Sequence, residues 1–401
     1  MPLKSFSPNG IEAGSKMRRT SAAPGWADEG HSGDEWSSSA LPLPHVREMQ
    51  ARLAGHFDGR IELLNKARFA RDMGSPFVGA ILEAGYRQLD KAPRTAEIIR
   101  DWPGDPAAAA VAMRFNAALH LLARRGTPPS LEALYQRRHF DFDGAVGEAL
   151  ATEDIFIAEA LRHPTQTNEV GRAAAIMAAL MVAQGDYGLP FELLELGSSC
   201  GLNLNMAHYA YDLGGRAAGA LGSPVKIAPE WRGQPLTIRP VDISSARGID
   251  LHPLDSRDPA TVERLISYIW ADQGARVRRL ETAFALAQDH LPAVECGSAM
   301  PWLAKQLSAP QPAGVCRVVF HSMVLQYFSV EDRRAVNDLI STAGARASAE
   351  RPLARISFEW SAARDEVRLL LTSWPKGETR HLATCHAYGA SIEWHGESRI
   401  V

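Results

Sequence analysis

Hydrophobic positions change their spacing near residue 190. Between 46 and 184 they recur every three to four residues, which is the period of one face of an α-helix. Val111, Phe115, Leu119 and Leu122 form one such stripe, ended by Gly126, Pro128 and Pro129. Ser75-Pro76 reads as a helix start, because proline lacks an N–H that the first turn leaves unpaired anyway, and it places Phe77 and Ile81 on one face. The Ala-rich run 173–183 is apolar all round, so it predicts a buried helix. It is shorter than the roughly 20 residues a membrane helix needs.

Beyond Pro190 the texture becomes short apolar runs separated by helical stretches: 193–196, 248–251, 293–296, 315–320, 354–358, 367–371 and 391–394. That alternation predicts an α/β fold, a parallel sheet of seven strands with crossover helices. The expected organisation is a tail at 1–44, rich in Ser, Gly, Pro and charge and read as disordered, then an all-helical domain at 45–188 and the sheet domain at 189–401. Within the last, about 214–247 reads as an insertion with Gly and Pro too frequent for a long helix, expected to form a hairpin over the sheet.

Composition narrows the partners. Over 401 residues, 46% are hydrophobic, 22% are charged and the net charge is −3, which creates no field to gather nucleic acid or an anionic membrane. The four cysteines, Cys200, Cys296, Cys316 and Cys385, include no Cys-x-x-Cys pair, so neither a zinc site nor a disulfide framework is expected, and a reducing cytoplasm fits. No apolar segment resembles a signal peptide, and Asp28, Glu29, Asp34 and Glu35 argue against a transit peptide. Asp250, His252 and Asp255 are spaced unlike a standard metal-ligand set.

Candidate chemistry centres on residues 191–204, Phe-Glu-Leu-Leu-Glu-Leu-Gly-Ser-Ser-Cys-Gly-Leu-Asn-Leu. An apolar run ending in a carboxylate and breaking into small residues reads as strand, tight loop and helix start, a place where a ligand approaches backbone closely. Glu195, Gly197, Ser199, Gly201 and Asn203 fall at every second position. The pattern resembles the cofactor loop of class I S-adenosylmethionine-dependent methyltransferases, usually Glu-x-Gly-x-Gly-x-Gly, with Ser199 in place of the middle glycine. Gly197-x-Ser199-x-Gly201 also matches the nucleophile elbow of α/β-hydrolases. Glu195 and the lack of an upstream His-Gly-Gly-Gly segment weigh against that alternative, while a purely structural turn stays open.

With 166–172 (Gln-Thr-Asn-Glu-Val-Gly-Arg), 248–255 (Gly-Ile-Asp-Leu-His-Pro-Leu-Asp), and 319–322 (Val-Phe-His-Ser) followed by Tyr327, the chain resembles the bacterial domain-of-unknown-function family numbered 2332. That family carries no settled reaction. The methyltransferase likeness implies a Rossmann-like, seven-stranded methyltransferase-type sheet, S-adenosylmethionine as cofactor, and a small-molecule or protein acceptor. It implies cofactor contacts from Glu195, Gly197, Ser199, Gly201, Asn203, Asp250 to the ribose, and Ser298 in the acidic place that meets adenine. Gly201 is expected to leave room for the cofactor's amino-acid end. His321 becomes a candidate base and Tyr327 and Glu359 candidate acceptor contacts, with Gln166, Asn168, Glu169 and Arg172 as substrate-binding residues. Helix caps at Asp250 and Ser298, a core histidine at 321, and a non-catalytic nucleotide sensor are the competing readings.

Overall fold

The computed structural model describes residues 59–397, so the tail expected at 1–44 lies outside the described residues. Seven helices come first: α1 (Gly59–Asp72), α2 (Pro76–Gln88), α3 (Pro93–Arg100), α4 (Val111–Arg124), α5 (Pro129–Tyr135), α6 (Phe142–Thr152) and α7 (Asp154–Arg162). Their starts follow local chemistry. Pro76 and Pro129 occupy first turns, and the Asp141 side chain caps α6 by accepting from the Gly144 amide. The stripe Val111, Phe115, Leu119 and Leu122 is buried in their shared core, which Trp270 from the later chain enters.

Helix α8 (Ala173–Tyr187) is buried on every side from Ala173 to Ala183. It packs on two strands of the main sheet, and its Met181 carbonyl accepts from Arg239 of the 214–247 segment. The strands are β1 (Phe191–Leu196), β2 (Ala210–Asp212), β3 (Ala217–Gly219), β4 (Lys226–Ile227), β5 (Glu230–Gly233), β6 (Ile243–Asp250), β7 (Val294–Cys296), β8 (Cys316–Ser322), β9 (Leu353–Trp360), β10 (Val367–Trp374), β11 (Glu378–Cys385) and β12 (Ser391–Trp394). Helices α9 (Pro259–Ser267), α10 (Gly274–Asp289), α11 (Ala299–Ser308) and α12 (Val330–Gly344) are interleaved with them.

The main sheet has nine strands, not the expected seven, in the order β5-β12-β11-β10-β9-β8-β1-β6-β7. All seven expected runs lie on strands. The two additions are β11, whose Glu-Thr-Arg-His start carries no apolar run, and β5. β7, β6, β1, β8 and β9 run parallel, β9 to β12 form an antiparallel meander, and β5 pairs parallel with β12. The insertion is not a hairpin over the sheet. Its β3 and β4 flank β2 in a separate three-stranded sheet, β5 extends the main sheet, and β6 already begins at Ile243.

Both faces of the parallel half are covered, which explains why β1 reads as a continuous apolar run. Phe191 and Leu193 pack with α8 and α10, whereas Leu194 and Leu196 pack with α11 and α12. Arg317 on β8 is 4% exposed and ties the sheet to the end of α11. Its Nε donates to Glu192 at 2.8 Å, and its Nη1 donates to the carbonyls of Gln306 at 2.8 Å and Ala309 at 3.1 Å. Arg317→Ala strands those acceptors, so we expect a loss of about 3 to 5 kcal/mol in chemical denaturation.

Candidate functional site

From β1 the chain builds β6 and β7 on one side, then crosses over to build β8 and β9 on the other. Such a reversal leaves a crevice beyond the carboxyl ends of the strands. A cavity of 490 Å³ lies there, within the size range of small-molecule sites. It is lined by Gly197 and Ser199 after β1, Asp250 and His252 at the end of β6, Ser298 before α11, and Ser322 ending β8 with Met323 and Val324 after it. Gln166 and Arg172 reach it from the segment before α8, and Arg114 from α4.

The turn after β1 needs the left-handed backbone region at Gly197 (φ +72°), Ser199 (φ +55°) and Gly201 (φ +77°). Two glycines adopt it freely, while Ser199 carries a cost of about 1 to 2 kcal/mol. Neighbouring elements hold it. The Gly197 and Ser198 amides donate to the Ile249 carbonyl at 2.9 and 3.1 Å, and the Ser199 amide donates to Asp250 Oδ2 at 2.8 Å. Asn168 staples the far side: its Nδ2 donates to the Ser198 carbonyl at 2.8 Å and its Oδ1 accepts from the Leu202 amide at 3.0 Å. The helix start expected after Gly201 is a 3₁₀ segment, Leu202–His208.

Four of the expected cofactor residues line the cavity: Gly197, Ser199, Asp250 and Ser298. Ser298 stands at the N-cap of α11 without a side-chain capping bond. Asp250 Oδ1 accepts from the His252 amide at 2.9 Å, so both its oxygens also serve the backbone. Gly201 faces elsewhere: an added Cβ would come within 2.5 Å of Pro292 Cβ and 2.7 Å of a Val294 methyl. Its missing side chain leaves room for β7, not for a ligand. Glu195 and Asn203 lie buried and do not line the cavity.

Glu195 is 1% exposed, and burial pushes its carboxyl up to about 8, outweighing the side-chain hydrogen bonds of Ser198 and Asn203. At neutral pH it is therefore mostly protonated. Glu195 Oε2 and Asn203 Oδ1 have no partner among the described residues, and a protonated carboxyl offers the donor that the amide oxygen lacks.

The residues expected to handle the acceptor divide in the same way. His321 pairs in register with Ser357, so Arg355 and Glu359, two positions either side on β9, share its face. His321 Nε2 accepts from Arg355 Nε at 3.1 Å, which leaves Nδ1 protonated and donating to Glu359 Oε1 at 2.8 Å. Burial and the Arg355 charge both push its pKa down. Both ring nitrogens are occupied and the ring does not line the cavity. Glu359 Oε1 also accepts from the Val324 and Leu325 amides at 3.1 and 3.3 Å, which shapes the turn after β8. Tyr327 lines the cavity and is 73% exposed.

Of the polar segment before α8, Gln166 donates to the His252 carbonyl at 3.0 Å and accepts weakly from Ser199 Oγ at 3.4 Å. Glu169 is buried, accepting from the Gly171 amide at 3.0 Å and pairing with Arg276. Arg172 Nε donates to the Ala387 carbonyl at 2.9 Å and its Nη1 to Ser322 O at 3.3 Å. Asp255 is paired with Arg257 at 3.0 Å and does not line the cavity. Arg114 and Arg355 escaped sequence reasoning, since a single arginine beside an apolar stripe or inside a strand carries no periodic signal.

Fold and site define a mixed α/β protein with a small-molecule-sized cavity where the strand order of its parallel half reverses. The chain belongs to the family described as uncharacterized protein conserved in bacteria (DUF2332), whose profile matches residues 60–394. No curated protein and no solved structure matches it significantly. Among the described residues no helix is long and apolar enough to cross a membrane.

Two consequences are testable. Below 4.5 the Glu195 carboxyl is protonated in both the folded and the unfolded chain; above 4.5 the unfolded chain ionises, while the folded one does not until about 8. Native stability is therefore lost across that window at up to about 1.4 kcal/mol per pH unit. Glu195→Gln cannot ionise, so its melting temperature should rise relative to wild type as pH increases through the window, and a constant difference would contradict the protonated carboxyl. Gly201→Val meets Pro292 and Val294 in a left-handed conformation, so thermal melting should show a large loss of stability, of about 3 kcal/mol or more.

Proposed function

We propose that this protein is an S-adenosylmethionine-dependent methyltransferase acting on a small-molecule or protein acceptor. The observation that carries the reading is the cavity at the strand-order reversal, with Asp250 ending the neighbouring strand β6 at its wall. The chain's residues fit the cofactor. Asp250 carries lone pairs beyond the two backbone bonds it accepts, so ribose hydroxyls would find acceptors there. Ser298, free of capping duty, would meet the adenine edge. Gly197 lacks a Cβ where one would come within 2.3 Å of Val324 Cγ2, which keeps the turn and the segment after β8 close.

Bound there, the cofactor supplies an electrophilic methyl group for in-line displacement. The chain's task is alignment, and Met323, Val324 and Phe328 supply an apolar wall that limits water. With His321 held by Glu359 and Arg355, its part is to position the turn after β8. The four cysteines are free, and a reducing cytoplasm is the setting this reading takes.

A second reading, a nucleotide-sensing protein without turnover, draws on that committed histidine. The hydrolase reading loses ground because Ser199 Oγ meets Gln166 and no histidine among the described residues, whereas a serine nucleophile needs a base.

Calorimetry with S-adenosylhomocysteine tests the proposal: binding to wild type is expected, and none at millimolar ligand sinks it. Asp250→Ala should weaken binding about tenfold to a hundredfold, matching the roughly 1.5 to 3 kcal/mol of charge-assisted hydrogen bonds. Asp255→Ala should leave it unchanged. Binding without any homocysteine-bearing product from a cell extract supplying acceptors favours the sensor.

A further inference from the structure

The cavity has one buried cation without a counterion of its own. Arg172 is 6% exposed, lines the cavity and makes no ion pair among the described residues. Its carboxylate neighbours are Glu169 and Glu359. Glu169 is paired with Arg276 and also faces Arg279, while Glu359 is engaged by His321, the Val324 and Leu325 amides and the charge of Arg355. Four guanidinium groups thus share two carboxylates. Removing a cation from water without a partner is costly, and burial accordingly lowers the pKa of Arg172 from the ordinary guanidinium value.

Its geometry is fixed as well. Two backbone carbonyls, Ala387 on Nε and Ser322 on Nη1, orient the guanidinium plane, and Nη2 has no hydrogen-bond partner among the described residues. Arg114, the other arginine at the cavity, donates to the carbonyls of Ala109 and Leu161 and lies 5.0 Å from the Trp102 ring centroid, so its donors are largely used.

The turn offers an anion little else. The amides of Gly197, Ser198, Ser199, Gly201 and Leu202 all donate within the protein, and the segment that follows is 3₁₀. A negative group entering beside the turn therefore finds few free backbone donors there, and a charged side chain is the stronger receptor. An arginine fork matches a carboxylate in shape and charge.

We propose that Arg172 is the carboxylate receptor of this cavity. In the S-adenosylmethionine reading, on which the finer assignment rests, the group it receives is the carboxylate of the cofactor's amino-acid end. A carboxylate on the methyl acceptor is the other source of the same chemistry.

Calorimetry of wild type, Arg172→Gln and Arg172→Lys with S-adenosylhomocysteine and with 5′-methylthioadenosine, which keeps the nucleoside and thioether but has no carboxylate, separates these. Arg172→Gln should bind S-adenosylhomocysteine about tenfold to a hundredfold more weakly and methylthioadenosine as wild type does. Arg172→Lys keeps the charge and loses the fork, so an intermediate loss is expected, and it carries the test if the glutamine variant does not fold. A parallel loss for both ligands overturns the receptor role, since it marks a damaged cavity.

Thermal melting in acetate against chloride at equal ionic strength gives an independent readout. Protection of wild type beyond that of Arg172→Gln supports the receptor, and equal protection overturns it. Unchanged S-adenosylhomocysteine affinity in Arg172→Gln overturns the assignment to the cofactor, and acetate protection confined to wild type then assigns the carboxylate to the acceptor. Should neither nucleoside bind folded wild type, the methyltransferase reading fails while the acetate comparison still decides the role of Arg172.

Discussion

The Asp250 carboxylate holds the site together. Ser199 occupies a left-handed conformation that serine disfavours, and its amide is fixed by Asp250 Oδ2 from the neighbouring strand. Because β1 and β6 are parallel and in register from Glu192↔Ser245 to Leu196↔Ile249, the end of β6 arrives where the turn needs an acceptor. One side chain therefore closes the turn and walls the cavity. Asn168 completes the restraint from the opposite side, so the turn's shape is set by two segments distant from it in sequence.

Charge around the cavity follows from burial. Glu195, buried near the end of β1, is mostly neutral because desolvation outweighs its polar neighbours. His321 is also kept neutral, its tautomer set by a donor on one nitrogen and an acceptor on the other. Neither group lines the cavity, and Glu359, which holds His321, also fixes the turn after β8. Arg172 differs because guanidinium resists losing its proton, so it stays charged at the cavity wall although the nearby carboxylates Glu169 and Glu359 are engaged by other donors.

The layers around the sheet place this chemistry. Alternate residues of β1 bury toward α8 and α10 or toward α11 and α12, which holds the strand ends rigidly on both sides. The helices before α8 add a core of their own, and Arg114 on α4 extends from it to the cavity. Loops on a double-sided scaffold of this kind can present polar groups without losing their alignment.

Local periodicity made much of the fold legible. Seven strand runs, the stripe from Val111 to Leu122, the proline start at residue 76 and the buried helix at 173–183 were readable because burial on a face or on all sides forces apolar residues into a fixed spacing. The turn at 197–201 was readable too, since left-handed backbone selects glycine. β11 was hidden because Thr379, Arg380 and His381 follow one another near its start and leave only Leu382 and Ala383 as aliphatics, and β5 because four residues at a sheet edge carry no pattern. Partners across strands were beyond sequence reach: His321 reads as a free base until the β8–β9 register sets Arg355 and Glu359 beside it, and Gly201 as a ligand-facing glycine until Pro292 and Val294 pack against it. Spacing along the chain determines which face a side chain takes, but what that side chain meets depends on segments tens of residues away, and only the tertiary structure decides it.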